Sequence, residues 1–336
     1  MAVADLTQEE GGVLVRKERS LWEESLIRLV KNKVAVASGI FLILLVLVAI
    51  FANVVAPMGF AEQDLLANNA IPQWMLVLLP SGAENYARIS AKFPLGADHL
   101  GRDILSRTLY GARVSLSVAF AASFVSLLVG TIYGMISGFF GGRIDSVMMR
   151  IVDFLYAFPF LVVVILLQTY FKALSRSAEG GGIGGALIGL NNDMGGLLFL
   201  FIAIGLINWI GMARIARGQV LSYKQMEFVE AARAVGASDT RLIMRHLFPN
   251  ILGPLIVAET LQLPGYIFTE AFLSFIGLGV NPPTPSWGIM ISEAVQALRT
   301  YPNQILVPAV ALSLTTLAFN FLGDGLRDAF DPRLKE

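Results

Sequence analysis

Apolar and polar positions alternate along this chain in long blocks, and six of the apolar blocks have the length and lack of charge of membrane-crossing helices. They are Val34–Ala56, Val114–Ser137, Phe154–Phe171, Met194–Ala213, Ile251–Gly279 and Ile305–Leu322; a crossing needs about 20 predominantly apolar residues. The fifth block departs from the others, because it holds Glu259 and Glu270 and is interrupted by Pro254 and Pro264. An acid at the centre of a membrane helix costs roughly 2.5–3.5 kcal/mol on insertion scales. Glu259, Glu270 and Pro264 are therefore expected against a partner helix, a water-filled path or the interface, away from lipid. The pattern predicts an all-α integral membrane protein.

One polar stretch stands out between the fourth and fifth blocks. It runs from Glu227-Phe228-Val229-Glu230-Ala231-Ala232-Arg233 through Gly236 and Ser238 to Arg245-His246-Leu247-Phe248-Pro249-Asn250. Local signals read as helix, turn, helix. Ser222 and Gln225 have the spacing of a capping box, Gly236 suits the left-handed residue that ends the first helix, and Ser238 suits a second cap. Pro249 is expected to stop the second helix. A charged helical pair between two crossings needs a protein outside the bilayer to hold. The small residues Ala231, Ala232 and Val229 allow close docking, while Glu230 and Arg233 supply polar register.

Charge sets the orientation. With the N-terminus inside, the inner segments hold Arg16, Lys17, Arg19, Arg28, Lys31 and Lys33, then Arg143 and Arg150. They also hold Arg214, Arg217, Lys224, Arg233, Arg241 and Arg245, then Arg327, Arg333 and Lys335, which is most of the 25 Lys and Arg residues. Positive-inside bias then places the Glu230 segment and both termini in the cytoplasm of a multi-pass cell-membrane protein. Ser20 and Glu23 form another capping-box spacing. From there to Lys33, Trp22, Leu26, Leu29 and Val30 fall near one face, the pattern of a helix lying in the interface.

Composition narrows the function. The chain is 55% hydrophobic and 15% charged, well below the quarter charged of soluble domains. Net charge is zero, which speaks against nucleic acid as a partner. There is no Cys and there are two His, His99 and His246, so thiolate chemistry is excluded and no metal site is expected. No phosphate-loop lysine follows the glycines of segment 172–193, which reads as a flexible outer loop. An intramembrane enzyme would need facing nucleophile and base, and the mid-span acids share one helix. A channel or secondary transporter would have no use for the polar helical pair.

Glu230-Ala231-Ala232, with Gly236 and Pro249 downstream, resembles the cytoplasmic coupling loop of binding-protein-dependent ABC importer permeases. His246 and Phe248 depart from the general form of that motif, but Arg245-His246-Leu247-Phe248-Pro249-Asn250 is similar to the peptide and nickel branch. Besides the tight turn Gly138–Asp145, the run Met149–Asp153 and the tail Asp324–Arg333, three further stretches resemble that branch. The first is Leu95-Gly96-Ala97-Asp98-His99-Leu100-Gly101-Arg102-Asp103, continuing to Arg107, where Ala97 stands in place of the usual Thr. The others are Glu270–Gly279 and Pro282-Pro283-Thr284-Pro285-Ser286-Trp287. The likeness covers about Leu95 to the C-terminus, apart from the glycine-rich insert.

The resemblance implies the six-helix type I ABC importer permease fold. It divides the chain into a cytoplasmic segment 1–33, a first crossing 34–56, an extracytoplasmic loop 57–112, a core 113–324 containing the coupling loop 214–250, and a tail 325–336. It implies a permease subunit for di- or oligopeptides, with nickel or another small solute as the alternative cargo. The implied partners are a second permease subunit, two ATP-binding subunits carrying the ATP and Mg, and an extracytoplasmic binding protein. Val229, Glu230, Ala231, Ala232, Arg233, Gly236 and Ser238 would couple to the ATPase. Pro282, Pro283, Pro285 and Trp287 are candidates for docking the binding protein. Asp98, Arg102, Asp103 and Arg107 sit at spacings that allow local ion pairs.

Overall fold

The computed structural model of the chain describes residues 21–78, 82, 88–177 and 183–331. The polar segment 1–20, with the expected cap Ser20, and residues 332–336 of the tail lie outside them. Helix α1 (Leu21–Lys31) has acids in its first turn and Arg28 and Lys31 in its last, which suits the helix dipole. Asn32 then caps α2 (Lys33–Ile50), its Oδ1 accepting from the Ala35 amide. A break at Phe51 precedes the short α3 (Ala52–Val55), so the first apolar block is two helices.

The segment that follows folds around a small core of Ala70, Phe93 and Ala97. Lys92 donates to Asp64 at 3.0 Å and holds that exposed carboxyl below its ordinary range. Asn303 and Gln304 pin the segment by donating to the carbonyls of Leu95 and Ala97.

Helix α4 (Ile104–Phe140) starts well before the expected Val114, because Asp103 caps it and Arg107 lies inside its first turns. The tight turn expected over 138–145 shrinks to Gly141, and α5 (Gly142–Tyr156) begins at once. The third crossing is not one helix. Alpha-helix α5 and α6 (Phe160–Ser177) meet at 79° across residues 157–159, where Pro159 has no amide hydrogen to continue the ladder. The expected flexible loop 172–193 is also corrected: α6 runs into it and α7 (Ile183–Asp193) fills its second half.

Helix α8 (Leu197–Tyr223) continues past Ala213, so Ser222 is inside a helix and caps nothing. After α9 (Glu227–Ala234) and the single turn α10 (Asp239–Arg241), a π-helical turn over Leu242–Leu247 leads straight into α11 (Phe248–Phe275). Pro249 therefore stops nothing. It sits in the first turn of α11, where the change from wide to ordinary helical pitch leaves its missing N–H without consequence. Pro254 and Pro264 lie inside α11 without ending it. Helices α12 (Trp287–Ala294) and α13 (Asn303–Phe330) complete the chain. Among the described residues five helices are long and apolar enough to cross a membrane, and the bent α5–α6 pair supplies a sixth if counted as one.

The centre of the bundle is the α4–α8 pair, and close approach there depends on missing side chains. A Cβ at Gly130 would lie 2.7 Å from the Trp209 carbonyl oxygen; one at Gly134 would lie 2.7 Å from Ala216 Cβ; one at Gly138 would lie 3.0 Å from the Arg217 carbonyl oxygen. Small residues four apart are a standard way for membrane helices to pack backbone to backbone. Gly134→Leu is expected to destabilise the pair by about 1–3 kcal/mol, the usual scale of overpacking. A lowered thermal midpoint in detergent reads it. The same change at Gly218, exposed with nothing within 4 Å of its added Cβ, should leave the midpoint in place.

Candidate functional site

The polar hinge forms one end of the bundle. Helix α9 starts at Met226 without a side-chain cap, and Glu227 and Glu230 in its first turn face the positive end of its dipole. Its far end is a Schellman closure: Gly236 N–H donates to the Arg233 carbonyl and Ala237 N–H to the Ala232 carbonyl, both at 3.0 Å. Gly236 adopts φ +83°, the left-handed conformation that this closure requires. Ser238 has the extended backbone of a cap, but its side chain makes no capping bond.

Val229 is corrected. It is 1% exposed and points into a cluster with Met135 of α4, Met212, Ala216 and Val220 of α8, and Leu242, Leu247, Ile251 and Leu255 beyond the hinge. It anchors the helix and is not available for docking. Ala232 and Ala237 pack on the same cluster from its edge. The outward face consists of Glu230, Ala231, Arg233 and Ala234, with three apolar side chains that pattern reading had not singled out, Met226, Phe228 and Val235. Val235 is 88% exposed. Exposed apolar side chains with polar residues around them are what a protein-binding surface carries.

Ion pairs hold the frame behind this surface. Arg217 grips Asp145 with two bonds, Nε to Oδ1 at 2.5 Å and Nη2 to Oδ2 at 2.6 Å, and Ser137 Oγ donates to the same carboxylate. Such a fork holds geometry better than a single contact. Lys224 donates to the Gly138 carbonyl at 2.8 Å. Arg214 pairs with Asp153 at 2.7 Å and lies over the Tyr156 ring. Helices α4, α5 and α8 are thus tied together directly beside α9.

Both mid-span acids are buried, in different settings. Glu270 accepts from Ser115 at 2.7 Å and from Ser274 at 2.6 Å, bridging α4 and α11. Glu259 accepts from Tyr266 at 2.8 Å and Ser126 at 3.2 Å, and it also lines a cavity of about 420 Å³ beside the α5–α6 bend. Pro264 is buried in the same helix.

At the opposite end of the bundle, Pro282 and Pro283 are exposed while Pro285 and Trp287 are buried. Trp287 has no exposed surface; its indole N–H donates to the Thr108 carbonyl at 3.1 Å, and its ring packs over Gly111. It braces α12 against α4, which removes it from the accessible docking candidates. Beside it two of the four local charges, Arg102 and Arg107, gain a partner from far along the chain. Arg102 pairs with Asp98 at 2.6 Å and with Glu293 at 2.8 Å, and Arg107 pairs with Glu293 at 2.9 Å. Asp103 caps α4 and joins no ion pair there. Asp98, His99 and Glu293 offer ligand atoms within 4.8 Å of one another, but the two guanidinium groups already engage both carboxylates. No local spacing reveals Glu293, which lies 186 residues from Arg107.

Residues 130–336 match the family model described as "Binding-protein-dependent transport system inner membrane component". Residues 20–72 match "N-terminal TM domain of oligopeptide transport permease C". The chain is 40% identical over 321 residues to the "Oligopeptide transport system permease protein OppC" of Bacillus subtilis, covering 96% of this chain and 92% of that one. It is 38% identical over 327 residues to the "Dipeptide transport system permease protein DppC" of the same organism, covering 97% and 90%. The "Oligopeptide transport system permease protein OppC" of Haemophilus influenzae is 40% identical over 315 residues, covering 94% and 89%. The likeness extends upstream of Leu95, where motif reading stopped.

Proposed function

This chain belongs to the family of binding-protein-dependent transport system inner membrane components, and from that membership we propose that it is the permease subunit of an ATP-driven importer of di- or oligopeptides. The peptide cargo is supported by relatives named for oligopeptide and dipeptide transport that match the chain nearly end to end. The observation that carries the mechanical part is α9 itself. Its outer face is open while Val229 roots it in the bundle.

The hinge end faces the cytoplasm in this reading, with both termini on that side, a placement supported by the distribution of Lys and Arg. Two ATP-binding subunits, which hold the ATP and Mg, grip Glu230, Ala231 and Arg233 and the exposed Met226, Phe228 and Val235. A second, homologous permease subunit completes the path through the bilayer, and an extracytoplasmic binding protein delivers the cargo. Glu230 and Arg233 set the register of docking; Ala231 lets the partner's backbone approach closely.

Motion then has a direct route inward. Gly236 fixes the angle between α9 and α10, and Val229 locks α9 to Leu242 and Leu247 of the π-helical turn. That turn is continuous with α11, so displacement of the hinge moves the helix bearing Glu259 and Glu270 as one piece. Packed elements of this kind switch between discrete arrangements without bending continuously.

The test is reconstitution. The chain alone in lipid vesicles is expected to hydrolyse no ATP. Vesicles holding both permease subunits and both ATP-binding subunits should accumulate labelled peptide when ATP and the loaded binding protein are supplied on their respective sides. Hydrolysis by the isolated chain, or uptake that needs no ATP, would count against the proposal.

A further inference from the structure

The cavity beside the α5–α6 bend is used by nothing in the coupling account, and its lining has a distinct chemistry. Glu259 is 4% exposed and lies near the middle of the continuous helix 239–275. Its oxygens accept from Tyr266 and from Ser126, and Ser123 is a third hydroxyl partner. A carboxylate has about four acceptor positions, so these three leave acceptor capacity for the cavity it lines. Asn208 adds to this. Its amide nitrogen spends one of its two hydrogens on the Ile204 carbonyl, and its oxygen adds an acceptor to the lining. Gln262, exposed and one turn beyond Glu259, lines the same space. No Lys or Arg lines it; the rings of Tyr156, Phe158 and Phe160 form part of its wall, and Arg214, paired with Asp153, covers the Tyr156 ring.

An acceptor-rich wall with one carboxylate and aromatic faces attracts a cationic donor and repels an anion. The volume, about 420 Å³, is in the range of small-molecule sites. A single carboxylate also suits passage, since a site on a transport path must bind firmly enough to admit its cargo and weakly enough to release it.

We infer that Glu259 and this cavity form a transit subsite for a protonated amine, and that the N-terminal ammonium of a peptide is the group it takes. The cargo half of this statement rests on the peptide reading given above. Its position also ties it to the drive, because the helix that carries Glu259 continues unbroken from the hinge.

The absence of Cys from the chain makes the subsite testable with a single thiol. Gln262→Cys is introduced into the assembled transporter in membranes, with the partner chains made cysteine-free. Modification by a cationic and by an anionic methanethiosulfonate of similar size is timed, each rate normalised to a free thiol in solution. The cation is expected to react about tenfold faster, the lower end of what electrostatic focusing in a cleft provides. Adding Glu259→Gln should bring the ratio close to one, and Glu259→Asp should retain most of it. A dipeptide with a free N-terminus should slow cationic labelling more than its N-acetylated form, a difference that vanishes with Glu259→Gln. A ratio unchanged by Glu259→Gln overturns the subsite whatever the cargo. A Glu259-dependent ratio that neither peptide affects overturns the peptide assignment and leaves the amine chemistry standing.

Discussion

Gly236→Val is expected to cut ATP-driven uptake by about 5- to 30-fold while leaving membrane abundance unchanged. Gly236 has φ +83°, and a Cβ added there meets nothing within 4 Å. Crowding is thus not the issue; the backbone conformation is. An L-residue in the left-handed region costs roughly 1–2 kcal/mol, more when it is β-branched, and that cost corresponds to about a 5- to 30-fold change in a two-state population. A valine that escapes to negative φ breaks the two bonds closing α9 onto Ala232 and Arg233, and the docking face turns away from its partner. Asn tolerates the left-handed region, so Gly236→Asn should retain much of the activity. Initial uptake rates at matched abundance decide it. Full uptake by the valine variant would remove Gly236 from the coupling mechanism.

Glu293→Gln is expected to destabilise the protein by an amount toward the lower end of about 3–5 kcal/mol, the range for breaking a buried ion pair. Arg102 and Arg107 are 5% and 2% exposed at their side chains and share two carboxylates, Asp98 and Glu293. Neutralising Glu293 leaves two buried guanidinium groups facing one carboxylate. The 30% exposure of the Glu293 side chain lets water offset part of the loss. The readout is the thermal midpoint in detergent. Replacing Arg102 by Met together with Glu293→Gln restores charge balance and should recover part of the fall; no recovery would show that the cluster does not act through charge.

The crossings are legible in the sequence because lipid demands uninterrupted apolar length, and that demand is written residue by residue. The hinge is legible for a similar reason, since Gly236 and the small polar run sit where no apolar helix could continue. What local reading misplaces are the joins. Ser222 and Gln225 match a capping box, but the packing of Ala216 and Val220 in the cluster around Val229 extends α8 past Ser222 to Tyr223. Pro249 reads as a stop, and only the π-helical turn before it makes a proline acceptable at that point.

Within the site, burial decided what spacing could not. Val229 and Ala231 are equivalent as small apolar residues on a list, yet one is the anchor and the other is on the docking face. Trp287 belongs to a proline-rich loop by sequence and to the α4 interface by packing. The cost of a membrane-embedded acid brings Glu259 and Glu270 to notice. Their separate surroundings, a serine bridge for one and a cavity for the other, come from helices more than a hundred residues away.

The claim on which the mechanism rests is that α9 is the grip of a motor on another chain. A cysteine placed at Ala231, unique in this protein, and a short thiol-to-amine crosslinker applied to the assembled transporter test it most directly. The account requires a crosslinked product containing an ATP-binding subunit, with a yield that changes between the nucleotide-free and ATP-bound states. A thiol at Ala231 that never reaches an ATP-binding subunit, or that a membrane-impermeant reagent labels from outside intact cells, would contradict it.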